Sequence, residues 1–190
     1  MKKLTLIVAI ALSALMVNAQ KQAPVKFPPL DASPMDVAYY PANITKVKKD
    51  DTTMPLIRVL YSRPSKKGRE IFGVLEQFDK VWRLGANENT EIDLFHPVTI
   101  GDKKIKPGRY SLFAIPSKES WTIIVNKQTD RWGAFNYDET KDVVRVTVPV
   151  TKLEKPLEVL SVVFTERAGG TNMIIAWDTT QVSVPIAFKK

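Results

Sequence analysis

From residue 56 onwards, apolar and polar positions alternate in short runs broken by Gly and Pro. A period of two is the mark of strands with one face buried. The runs 56–61, 90–95, 109–115, 121–126, 143–150, 157–166, 173–177 and 182–188 all read as strands. In 90–95, Thr90, Ile92 and Leu94 oppose Glu91, Asp93 and Phe95. In 109–115, Tyr110, Leu112 and Ala114 share a face. Two shorter runs, 98–100 and 103–105, flank Gly101-Asp102, a two-residue hairpin turn in which Gly supplies the positive φ. Ala168-Gly169-Gly170 marks another hairpin tip. Pro185 makes the final run an edge strand or a bulged one, because proline cannot donate to a ladder.

Helix is scarce. Residues 70–77 have room for about two turns, weakened by Gly73, and Ser33 can cap a short turn over 34–37 with Pro34 in the first position. The stretch 130–137 fits neither period. Short strands at regular spacing with Gly and Pro turns predict an all-β fold, an antiparallel β-sandwich of jelly-roll-like character with one or two short helices.

The first residues read as an address. Lys2 and Lys3 precede an apolar run over 4–17, and Val17-Asn18-Ala19 places small residues at a cleavage position. The run is shorter than the roughly 20 apolar residues of a membrane span. The expected layout is a signal peptide over 1–19, an extended, proline-rich segment over 20–55 that packs on the domain, and a β-sandwich over 56–190. Export to the periplasm or the medium follows from that leader, with no transmembrane segment left after cleavage. With no cysteine, lipid attachment, disulfides, thiolate catalysis and cysteine zinc sites are excluded.

The formal charge of +8 raises nucleic acid as a partner. The lysines, however, are scattered over turns, where they solvate loops and guard strand edges. No nucleic-acid partner is expected. Nor does the chain contain a phosphate-binding glycine loop or a dinucleotide fingerprint, so no cofactor is expected. The one histidine, His96, precedes Pro97 at a strand end. A single His without Cys rules out a His-rich zinc site, and no Asp-rich calcium loop appears. No metal is expected.

YSRPSKKGREIFG, VWRLGANENT, KPGRYSLFAIP, WTIIVNK and WGAFNYDETKDVVRV follow one another in the chain. In these motifs, over residues 56–186, the chain resembles the bacterial domain of unknown function 2911 family. The resemblance implies an exported, β-rich domain of Gram-negative bacteria and no established activity.

The densest polar segment is 82–90. An arginine beside a Gly-Ala turn, followed by amides and a carboxylate, can bind a carboxylate, a phosphate or sugar hydroxyls, since the guanidinium is a planar fork of donors. The same residues can equally brace the loop, with Arg83 on carbonyls and Asn87 or Asn89 capping a turn. Arg63, Lys66, Lys67 and Arg69 form a second basic loop, readable as an anion clamp or as a solvated turn. Trp121 and Trp177 lie in apolar strands and belong to the core. Trp82 and Trp132 lie in polar loops and suit a binding wall.

The leading functional reading is therefore a non-catalytic binding or interaction module. Its ligand-binding residues would be Arg63, Arg69, Trp82, Arg83, Asn87, Glu88 and Thr90, and its ligand a small anionic or hydroxyl-rich molecule, a glycan or a peptide. The first alternative is a hydrolase acting on a glycan or similar envelope substrate with paired carboxylates. Glu88, Glu91 and Asp93 are the candidates, Glu91 and Asp93 lying about 7 Å apart on one strand face. The second is a structural envelope protein meeting a partner through an exposed edge such as 182–188. Nothing in the chain sets an oligomeric state.

Overall fold

The computed structural model describes residues 23–46 and 48–188; the expected signal peptide lies outside them. The chain divides into two units, Met1–Leu30 and Asp31–Lys190. Of the first, residues 23–30 are exposed and have no regular secondary structure. The second holds all the strands described below.

Nine strands are present among the described residues: β1 Met35–Tyr40, β2 Ile57–Ser62, β3 Thr90–Leu94, β4 Val98–Ile100, β5 Lys103–Ile105, β6 Gly108–Pro116, β7 Ser120–Asn126, β8 Asp142–Arg167 and β9 Gly170–Phe188. All pairings are antiparallel, in the order β1-β2-β3-β6-β7-β8-β9-β4-β5. Two 3₁₀ turns, Ala42–Lys46 and Glu139–Lys141, are the only helical pieces described.

The order is linear, yet the two halves share a core because β8 and β9 change partners along their length. The first part of β8 pairs with β7 (Trp121 opposite Val148). From Val150 onwards it pairs with β9, with register shifts around Leu157. β9 in turn leaves β8 at Val182 and takes up β4 at Ile186. One half contributes Ile57, Ile92, Leu112 and Trp121 to the interior, and the other Leu160, Ile175, Trp177 and Val184, in a single hydrophobic cluster. On the far side, the chain leaving β2 reaches β8 directly. Lys66 N donates to Glu158 O at 2.6 Å and Leu160 N to Pro64 O at 3.1 Å. The result is the antiparallel all-β architecture that the alternation predicts.

Three local expectations change. Residues 34–37 are not a helical turn: Met35–Tyr40 is strand β1, pairing with β2 from Met35 opposite Ser62 to Tyr40 opposite Ile57. As an edge strand it puts Asp36 and Ala38 on its more buried side and leaves Val37 outward, so its hydrophobic pattern is inverted and gives no strand signal. Residues 70–77 are not helical either. Turns and an isolated Phe72–Glu76 bridge occupy them, with Gly73 at φ 96°. Finally, 182–188 is no edge. It lies within β9, flanked by β8 and β4, and Pro185 falls in the gap between the two sets of pairs. The ends of the sheet are β1 and the lysine-bearing β5.

Candidate functional site

The 82–90 segment is shaped by alternation on a smaller scale. Trp82 pairs its backbone with Ala114 of β6 in both directions, at 2.7 and 2.9 Å. Its side chain, 3% exposed, points into the core with Leu84, leaving Arg83 between them half-buried. Trp82 stacks on Trp177 (centroids 6.2 Å apart, planes at 19°) and meets Trp121 and Phe72 edge-on. Expected as a binding wall, Trp82 is thus a core residue, beside Trp121 and Trp177. The chain then turns sharply, with Leu84 and Asn87 at φ 58° and 59°. Thr90, fully buried, closes the loop by donating from Oγ1 to Leu84 O at 2.8 Å and from N to Arg83 O at 3.1 Å. At Gly85 a Cβ would sit 3.1 Å from Ser62 O, a tight contact with backbone.

This loop is interlocked with residues 128–137. Asn89 is buried; its Nδ2 donates to Ser111 Oγ at 2.5 Å and its Oδ1 accepts from Arg131 N at 2.9 Å. Asn89 N donates to Arg131 O, and Gly133 N to Asn87 O. Asn87 Nδ2 also reaches Asp31 Oδ1 at 3.1 Å. Glu88 is exposed. It lines a cavity of about 170 Å³ with Met35, Leu60, Glu91 and Arg131.

The arginines divide by partner. Arg63 holds β1 to β8: it donates to Asp36 Oδ2 at 2.7 Å, to Ser161 Oγ at 3.0 Å and to Leu160 O at 3.1 Å. Arg69 donates within its own loop, to Lys66 O and Ser65 O. Arg83 differs from both. Its Nε is buried and has no hydrogen-bond partner among the described residues. A buried charged donor without an acceptor is costly, since the desolvation of the group is not repaid.

Next to it lies a residue that the sequence pattern did not single out. Glu76, half-buried in the 70–78 turns, has its carboxyl pushed from 4.5 up to about 7 by burial, against the opposing fields of Arg83 and Arg69. The carboxyl forms no ion pair or hydrogen bond among the described residues. The turn that presents it is fixed by Glu76 N donating to Ile71 O and Gly73 N to Glu76 O, both at 2.8 Å. It is also fixed by Phe72, which packs at 4.8 Å on Trp121. The charges of Arg83 and Arg69, from two other turns, thus act on Glu76 without closing a salt bridge. A lone Glu between Leu75 and Phe78, in a stretch otherwise poor in charge, was the available sequence signal.

The remaining carboxylates are differently placed. Asp93 accepts from Arg58 Nε and Nη2 at 2.8 and 2.7 Å and lies 3.6 Å from Arg109 Nε. Glu91 accepts from Asp130 N at 2.7 Å and lies 3.5 Å from Arg109 Nη1. Both belong to a charged ladder across β2, β3 and β6, where Arg58, Asp93 and Arg109 are directly opposed in register. His96 lines a cavity of about 310 Å³ with Leu56, Pro97 and Phe188. Among the described residues, no group of three or more His, Cys, Asp or Glu is placed to hold a metal. No helix among them is long and apolar enough to cross a membrane.

A family described as "Protein of unknown function (DUF2911)" matches residues 41–186. The chain belongs to this family. The match spans β2 to most of β9, so the Arg69, Glu76 and Arg83 turns and the interlocked 83–90 and 128–137 loops are all within the family's own domain. No curated protein and no solved structure matches the chain.

Proposed function

We propose that this family member is a non-catalytic binding module of the bacterial envelope. Its ligand is a small oxyanion or carboxylate held by Arg83 and Arg69, with Glu76 contributing as a neutral acid. The buried, unpartnered Nε of Arg83 carries the reading. A guanidinium edge without an acceptor is complete only when one is supplied, and its fork matches a carboxylate or a tetrahedral oxyanion. Arg69 adds a second positive charge. Below about pH 7 Glu76 is protonated and can donate to the same anion instead of repelling it. Export through the N-terminal leader belongs to the same proposal.

The hydrolytic alternative draws less support. Asp93 is held by Arg58 and Arg109, and although Glu88 and Glu91 line one cavity, the Glu91 oxygens are already engaged by Asp130 N and Arg109.

Calorimetric titration with sulfate and with succinate tests the proposal. Both should bind at pH 6, and Arg83→Ala should weaken binding at least about tenfold, the scale of one charge-assisted hydrogen bond. Arg83→Lys, keeping the charge but losing the fork, should recover only part of it. Sulfate does not change its own charge in this range, so its affinity isolates the protein's proton. It should fall by up to about tenfold per pH unit above about pH 7 in the wild type. Absence of heat with either anion, or unchanged binding in Arg83→Ala, would refute the site.

A further inference from the structure

A second site, lined by residues other than Arg69, Glu76 and Arg83, lies on the 128–137 loop. Two large aromatic side chains stand exposed there: Trp132 at 63% and Phe135 at 83%. Isolated exposed aromatics need no explanation. These two differ because the loop beneath them is pinned. Gln128 N donates to Asn126 Oδ1 at 2.7 Å, Arg131 N to Asn89 Oδ1 at 2.9 Å, and Gly133 N to Asn87 O at 2.9 Å. Tyr137, at the far end, donates to Asp142 Oδ2 at 2.7 Å, accepts from Arg145, and packs edge-on against Phe113. Phe135 stands close to the loop's own backbone. Its ring lies over Gly133, where a Cβ would come within 2.7 Å of Cε2, and Gly133 is at φ 69°. Only glycine allows that ring position.

Beside the aromatics is a cavity of about 180 Å³, lined by Gln128, Asp130, Arg131, Trp132, Asn136 and Tyr137 among others. Its chemistry is specific in two ways. The lining includes one acid, Asp130, whose Oδ1 accepts from Arg109 Nη1 at 3.0 Å, and one base, Arg131; burial with the Asp142 hydrogen bond pushes the Tyr137 hydroxyl up to about 12, so it stays neutral. The lining thus carries no net charge to recruit an ion. It does offer amides, a carboxylate and a guanidinium around an aromatic face. A pyranose ring has that complement, with an apolar C–H face to lie on an indole and hydroxyls around its rim.

We infer that Trp132 and Phe135, with the cavity beside them, form a binding face for a neutral saccharide, Trp132 stacking on a sugar ring while Gln128, Asp130, Arg131 and Asn136 receive its hydroxyls. The volume admits one ring, and the two exposed aromatics extend the face to a neighbouring unit. The ligand class is a neutral oligosaccharide, distinct from the anion proposed for Arg83.

Trp132 gives its own readout, because the other three tryptophans are at most 3% exposed. Acrylamide should therefore quench mainly Trp132. The probes are cellotetraose, maltotetraose and chitotetraose, each at about 10 mM, a concentration that saturates a site with a Kd of about 1 mM. At least one should protect Trp132 from the quencher, and calorimetry should return the same affinity. Trp132→Ala and Phe135→Ala should each weaken that binding about tenfold while the circular dichroism and unfolding midpoint stay as in the wild type. Arg83→Ala should bind the saccharide unchanged, which separates this site from the anion site whatever the fate of the latter. No protection by any of the three tetrasaccharides overturns the inference. So does saccharide binding that survives Trp132→Ala.

Discussion

Glu76 shows how one residue's surroundings can set a property of the whole protein. Its carboxyl is raised from 4.5 to about 7, so the folded state keeps a proton that the unfolded chain gives up. Where the native state binds more protons than the unfolded one, stability falls with rising pH. The window runs from about 4.5 to about 7: the contribution is intact below it and gone above it, a change on the order of 3 kcal/mol. Glu76→Gln keeps the neutral shape and removes the titration. Its stability should be flat in urea unfolding between about pH 5 and 8 and should exceed the wild type's at the alkaline end. A wild-type curve as flat as the variant's would show that Glu76 ionises freely. In the sequence only the isolation of Glu76 among apolar residues hints at this, because burial of a loop carboxylate leaves no periodic trace. Trp82 is a contrasting case. Its polar neighbours suggested the surface, but Trp82 and Leu84 straddling Arg83 is the in-out-in pattern of a strand, and the bridge to Ala114 obeys it.

Among the elements, the 83–90 and 128–137 loops are joined through Asn89. Its amide is the donor for Ser111 Oγ and the acceptor for Arg131 N, and Ser111 Oγ in turn donates to Gln128 O. Asn89→Ala strips partners from two groups at once in a buried setting, a loss of about 2–3 kcal/mol. The cost should fall locally as well as globally. Hydrogen exchange at Arg131 should accelerate in the variant, and Asn89→Asp, which retains an acceptor, should lie between the two. If both variants unfold at the wild-type denaturant midpoint, the latch contributes nothing. The strands themselves were read from alternation because each buries one face. Thr90, Ile92 and Leu94 are at most 2% exposed, as the period demands. The loops were not, since a segment held by side-chain hydrogen bonds to a distant loop has no period to follow. β1 was missed for a third reason: as an edge strand it turns Asp36 inward, to meet Arg63.

At the level of the whole molecule, the all-β fold depends on β9 serving two neighbours. It starts at the β8–β9 hairpin tip and ends against β4, and its two ends meet. Phe188 N donates to Gly169 O at 2.9 Å, and Gly170 is buried against the backbone of Ile186 and Ala187. Sequence alone places Gly169 and Gly170 together at a hairpin tip. The fold separates them. Gly169 has φ 71° and open space around its missing side chain, so Gly169→Ala meets only the left-handed backbone penalty, about 1–2 kcal/mol. Gly170 has the opposite constraint. A Cβ there would overlap the carbonyl of Ile186 and lie 2.9 Å from Ala187 Cα, and backbone in a paired strand cannot swing aside as a side-chain tip can. Overpacking of that kind costs upwards of about 3 kcal/mol. Gly170→Ala should therefore unfold at a far lower urea concentration than Gly169→Ala, or fail to fold. Because Ile186 pairs with Ile100, exchange protection should be lost in β4 along with the end of β9. Equal destabilisation by the two substitutions would mean that the hairpin tip does not rest on the end of β9. The route by which a linear order of nine strands closes over one core would then need another contact.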